Sequence, residues 1–168
     1  MKEFFQEAFK TLPPSFKATA LLRGFGFLKV PLLYSVKPAV QEISDKRAVV
    51  SIPLRRWTKN HLGSMYFGSL AIGADCVVGL MAIHHIEKRG GGKVHLSFKD
   101  FKANFLKRPE EDVLFVCDEG EKVARLVDKV LHSGERENLT VNAYASVKSK
   151  PLEPVAEFQL TLSLKKKS

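Results

Sequence analysis

Cysteine is scarce in this chain. Two occur in 168 residues, Cys76 and Cys117, each inside an apolar run and without C-x-x-C spacing. That excludes a disulfide-stapled scaffold and a cysteine-rich zinc site, and predicts two buried, reduced thiols. Negative charge is also short: 18 Asp and Glu stand against 27 Lys and Arg, a formal net charge of +9. Such a field draws in anions, whether nucleic acid, acidic lipid headgroups or a phosphorylated ligand. No Ser/Gly-rich linker interrupts the chain, so residues 1–168 read as one domain, long enough to bury roughly 68–70% of its unfolded surface. Residues 1–10 mix Lys2, Glu3, Glu7 and Lys10 among phenylalanines. They lack the apolar core of a secretory signal, and a cytoplasmic location is the expectation.

Several motifs are missing as well. Gly24-Phe25-Gly26 has neither a third glycine nor a preceding strand, and no nucleophile elbow is present. His84 and His85 are adjacent, so on a helix they point ~100° apart, unlike an i, i+4 zinc pair. No metal is expected. Nucleic acid is supported by charge alone, because the strand aromatics form no stacking pair on a polar face, and none is expected as a partner.

One long apolar run exists. Residues 64–83 carry a single charge, Asp75. Length permits a membrane span, but an acid near the midpoint costs ~2.5–3.5 kcal/mol at bilayer depth, and Ser64, Gly68, Ser69, Gly73 and Gly79 dilute the apolarity. A helix buried inside protein is the better reading, and no membrane partner is expected.

The surrounding pattern gives an order of elements. Residues 1–32 form a helical cover: Phe4, Phe5, Ala8, Phe9 and Leu12 recur at helical spacing, Pro13-Pro14 stop that helix, and Ser15 can cap a second one running towards Gly24. Residues 33–43 and 47–54 read as a hairpin turning at Ser44-Asp45-Lys46. The long helix spans about 64–88 and ends at Gly90-Gly91-Gly92. Strands follow at Val94–Phe105, with a phase slip near Lys99-Asp100 that predicts a β-bulge, and at Val113–Cys117. An amphipathic helix over 121–132 and two alternating strands, 139–147 and 158–164, complete the chain. The fold class is therefore α+β: a curved sheet of about six strands whose concavity is filled by the one helix apolar enough all round to be swallowed.

Asp75, flanked by Ala74 and Cys76, is desolvated in such a helix, which raises its pKa unless donors surround it. An acid tied to a loop or to a neighbouring subunit and a catalytic carboxylate are both open readings. Before the helix, Asn60-His61-Leu62-Gly63-Ser64 supplies a flexible glycine and a candidate N-cap in Ser64. The free N–H groups of Met65, Tyr66 and Phe67 would then form a donor cluster for an oxyanion.

The run from Asn60 through Gly63, Ser64, Tyr66, Phe67 and Gly68, with Ala74-Asp75 following, resembles the signature of hotdog-fold thioesterases of the phenylacetyl-CoA thioesterase-like kind. The match is nearest to an uncharacterised, thioesterase-like branch with an extra helix between later strands. In those enzymes a His-Gly-Gly run leads into the buried helix, with an acid seven residues after the last glycine. Gly68 and Asp75 keep that spacing, while Tyr66-Phe67 replaces the His-Gly pair. The resemblance implies a hotdog fold and hydrolysis of an acyl-CoA or acyl-pantetheine thioester. In it Asp75 acts as general base or nucleophile, Asn60 places the water, and the amides from Gly63 to Gly68 hold the carbonyl. It also implies a homodimer, or a tetramer, with sites at the subunit boundary. No separate cofactor is implied, since CoA enters as part of the substrate. Its phosphates would meet basic side chains among Lys88, Arg89, Lys93, Lys99, Lys102, Lys107 and Arg108. The alternative is a non-catalytic acyl-CoA-binding or scaffold dimer that kept the fold after losing the His-Gly pair.

Overall fold

The computed structural model describes residues 13–90 and 94–167. The helix expected near Phe4 to Leu12, and Lys93, lie outside the described residues. The elements in chain order are α1 (Pro14–Lys29), α2 (Pro31–Ser35), β1 (Ala39–Ile43), β2 (Ala48–Ile52), α3 (Phe67–Lys88), β3 (Val94–Phe105), β4 (Val113–Cys117), α4 (Gly120–Ser133), β5 (Glu137–Val147) and β6 (Lys150–Lys166). The strands form one antiparallel sheet in the order β1-β2-β4-β5-β6-β3.

The alternation read from the sequence sets the two faces of that sheet. Val141, Ala143 and Ala145 of β5 join Phe158, Leu160, Leu162 and Leu164 of β6 in the core, while Asn142 and Gln159, paired across the strands, face out. Helix α3 lies against the inner face, with Ala74, Val77, Val78, Met81 and Ala82 fully buried. By length and composition α3 could cross a membrane. The sheet and α4 bury it instead, which is the reading its interrupting small residues favoured. Gly73 permits the closest approach: a Cβ there would collide with the ring of Phe115, itself fully buried. The bulge expected near Lys99-Asp100 is present, as the β3–β6 register slips between Phe98 and Phe101. Cys76 and Cys117 are free and buried. Burial pushes both thiols up, Cys117 to about 11.

Boundaries differ from expectation at four elements, among them β6, which begins at Lys150 and not at 158. Strand β1 starts at Ala39 and not near Leu33, because Pro31 begins a five-residue helix, Lys37 adopts φ 52° and Pro38 follows. Helix α1 is capped at Pro13 and not at Ser15, and runs through Gly24 and Gly26 to Lys29. Gly26 faces the α1–α2 corner, where a Cβ would press on Leu33 and Tyr34. Helix α3 starts at Phe67, three residues later than its apolar pattern.

Candidate functional site

The late start of α3 follows from how the preceding loop uses its polar groups. The buried Thr58 hydroxyl donates to Pro53 O at 2.7 Å and accepts from Arg55 N at 2.8 Å. Asn60 Oδ1 accepts from Leu62 N at 2.9 Å and Ser64 N at 3.2 Å, while its Nδ2 donates to Ser64 Oγ at 3.1 Å. Gly63 turns the loop at φ +80°, a conformation that favours glycine. Two expected donors are consumed: Tyr66 N–H goes to Thr58 O at 2.8 Å, and Met65 N–H goes to Pro109 O at 2.9 Å. Ser64 is therefore part of the loop and does not cap the helix. Tyr66, extended at φ −66° and ψ 139°, takes that position. Its carbonyl receives the amides of Ser69 at 2.9 Å and Leu70 at 3.1 Å. Among the described residues the amides of Phe67 and Gly68 have no acceptor, as the first amides of a helix do not. They are the pair at the positive end of the helix dipole that an oxyanion could use.

A cleft of about 340 Å³ opens at this helix start, lined in part by Asn60, Ser64, Tyr66, Phe67, Lys107 and Arg108. Its apolar wall adds Leu70 and Phe105, and the Phe67 ring meets Phe105 edge-on with centroids 6.5 Å apart. Phe105 and Pro109 are site residues that periodicity could not find, because the turn after β3 reaches the helix start only through the fold. Tyr66 lies over Gly68, where a Cβ would run into its ring.

Asp75 sits eight residues beyond Phe67, about 12 Å further along the axis, and is not among the residues lining this cleft. It lies half-buried on the stripe of α3 that the sheet covers least, with Phe67, Gly68, Ala71 and Ile72. Among the described residues no side chain or amide hydrogen-bonds or ion-pairs with its carboxylate. Burial alone pushes its pKa above the ordinary 3.8.

The basic residues disperse. Lys88 pairs with Asp45, and Arg89 forms a fork on Asp128, its Nη2 donating to Oδ2 at 3.0 Å. Both stand about 30 Å along α3 from the cleft. They share that end with His85, which is buried and hydrogen-bonded to Asp45 O at 3.1 Å. Lys102 lies in a groove of about 620 Å³ formed with Asp118, Glu119, Tyr144 and Glu157, whose acids repel phosphate. Lys99 marks the bulge on β3. Among the described basic residues, Lys107, paired to Glu153 at 3.0 Å, and Arg108 border the helix-start cleft. Among the described residues no three His, Cys, Asp or Glu side chains converge as a metal site.

One long helix wrapped by a curved six-stranded antiparallel sheet in this strand order is the hotdog fold, the architecture of thioesterase-like proteins. A protein of unknown function from Chlorobaculum tepidum shares it with a TM-score of 0.78 at 13% identity, covering 92% of this chain and 100% of its own. A Pseudomonas aeruginosa protein described as a probable thioesterase gives 0.72 at 18% identity, covering 93% and 97%. A substituted form of a thioesterase from the same organism gives 0.64 at 13%, covering 94% and 98%. No curated protein matches the chain. Residues 18–164 match the domain of unknown function DUF4442, and the chain belongs to that family.

Proposed function

We propose that this protein hydrolyses an acyl thioester, with CoA or a pantetheine arm as the leaving thiol, at a site completed by a second copy of the chain. The carrying observation is Asp75, a half-buried carboxyl on the open stripe of the central helix with no partner among the described residues. A carboxylate whose pKa is raised by desolvation is a stronger base towards water at neutral pH than an exposed one. The attacking water gives a proton to Asp75 as its oxygen bonds to the carbonyl carbon, and the C–S bond then breaks with its electron pair on sulfur, which takes that proton back from Asp75 and leaves as the thiol. The Phe67 and Gly68 amides of the second copy donate hydrogen bonds to the developing oxyanion.

The second copy is drawn in by the edge strand β3, twelve residues long, which carries half-exposed Phe101 and Phe105 beside the open stripe of α3. A long edge with apolar flanks is a template for pairing. Docking there would bury the stripe further and bring a partner's cleft towards Asp75.

CoA release from a panel of acyl-CoAs tests the reading. Turnover should fall by about 10²-fold or more in Asp75→Ala, and turnover unchanged by that substitution refutes it. The second reading, a non-catalytic acyl-CoA-binding dimer, is favoured by one observation: the Asn60 carboxamide is already spent on its own loop. Acyl-CoA binding by calorimetry without turnover across the panel would select it.

A further inference from the structure

Helix α1 has apolar residues on both sides, but among the described residues only one side is covered. Ala18, Leu22 and Gly26 face the protein, and Thr19 Oγ1 accepts from Val40 N at 2.8 Å, pinning the helix to β1. Arg23 Nε donates to Pro38 O at 2.8 Å and fixes the α1–α2 corner. The opposite side carries Phe16, Leu21, Phe25, Phe27 and Leu28, all exposed, and Leu32 of α2 continues it. Phe27 is 65% and Leu28 74% exposed. Scattered exposed apolar residues are ordinary, whereas a contiguous set on two adjoining helices marks an interaction surface.

Charge selects the occupant. From residue 13 to residue 41 the chain has four basic residues, Lys17, Arg23, Lys29 and Lys37, and no acid, within a protein of net charge +9. Lys29 and Lys37 are exposed at the end of the apolar face. Aromatic and leucine side chains bordered by lysines, on a helix held flat against a folded body, suit the interfacial zone of an anionic bilayer: the rings enter the acyl boundary and the ammonium groups meet phosphates. We infer that α1 and α2 form a peripheral docking face for anionic phospholipid membranes. The chain lies on the bilayer through this face, while α3 stays in the core. This departs from the expectation of no membrane partner, which rests on residues 64–83 being a buried helix. It does not depend on the proposed hydrolysis.

Co-sedimentation of the full-length protein tests it, with phosphatidylcholine vesicles containing phosphatidylglycerol against phosphatidylcholine alone. Binding is expected only to the anionic vesicles. It should weaken as salt shortens the screening length from ~10 Å at 0.1 M to ~3 Å at 1 M, and fall about tenfold or more in Phe27→Glu/Leu28→Glu. Both side chains are exposed, so the variant should keep the parent's circular dichroism. Lys29→Glu, which removes no apolar contact, should weaken anionic binding independently. Equal binding to both vesicle types, or binding unchanged in both variants, overturns the proposal. So does a parent that ignores vesicles while the double variant shrinks its oligomer in light scattering, since the face then joins copies of the chain.

Discussion

Gly73→Ala probes whether Phe115 closes on α3 as described. An added Cβ would fall within contact distance of three atoms of the Phe115 ring, closer than real Cβ atoms come to their neighbours. The ring has no retreat: it is fully buried and packs on Phe158 with centroids 6.3 Å apart, and Phe158 is itself 2% exposed. Overpacking of this kind costs ~1–3 kcal/mol, and a clash with the whole end of a ring belongs at the upper limit. Helix propensity opposes it by ~0.8–1 kcal/mol for Gly to Ala. The net loss is about 2 kcal/mol, which for a domain of this size lowers Tm by ~4–8 °C. Gly24→Ala is the matched control in α1, where a Cβ meets nothing within 4 Å. It should raise Tm by ~2–4 °C through propensity alone. Scanning calorimetry reads both, and Phe115→Leu added to Gly73→Ala should recover part of the loss. Gly73→Ala as stable as the parent would refute the packing of α3 on β4.

Asp75→Asn should raise stability at neutral pH. The folded pKa lies above the unfolded value, so Asp75's contribution is intact below 3.8 and is lost as pH rises through the folded pKa. A Tm difference between variant and parent that grows from pH 4 to pH 7 fits, and one that stays flat does not. Asp45 runs the other way: hydrogen bonds from Lys88 and His84 hold it at about 2 against 3.8. Its stabilisation, present above 3.8, disappears as pH falls towards about 2, and Asp45→Asn should remove that part of the acid unfolding profile. Gly120→Ala should be severely destabilising, because a Cβ there meets the backbone of Asp45 and Lys46, which cannot swing aside. Urea midpoints of the two proteins would measure the loss. Cys76 and Cys117 should resist thiol reagents in the native protein and react on unfolding. Fast native labelling would contradict their burial.

The fold was legible wherever one face of an element is buried. The alternation over Phe158, Leu160, Leu162 and Leu164, the bulge near Lys99 and the all-round apolarity of α3 each have a local cause that survives in the sequence. The failures lie where tertiary hydrogen bonds decide. Met65 and Tyr66 look like the first helical residues by hydrophobicity, yet Pro109 O and Thr58 O take their amides and delay the helix to Phe67. Lys88 and Arg89 look available to a phosphate, yet Asp45 and Asp128, about 40 residues away in each case, occupy them. The exposed face of α1 was hidden for the opposite reason, since an apolar helix reads as buried until the structure leaves one side in solvent. Asp75 stood out from sequence because it is the single charge in residues 64–83.

The pH dependence of kcat/KM for acyl-CoA hydrolysis tests the proposed role of Asp75 most directly. The account predicts a rise governed by a pKa above 3.8, with that limb absent from the residual activity of Asp75→Asn. Parent and variant sharing the same limb at comparable rates would contradict it and assign the chemistry elsewhere.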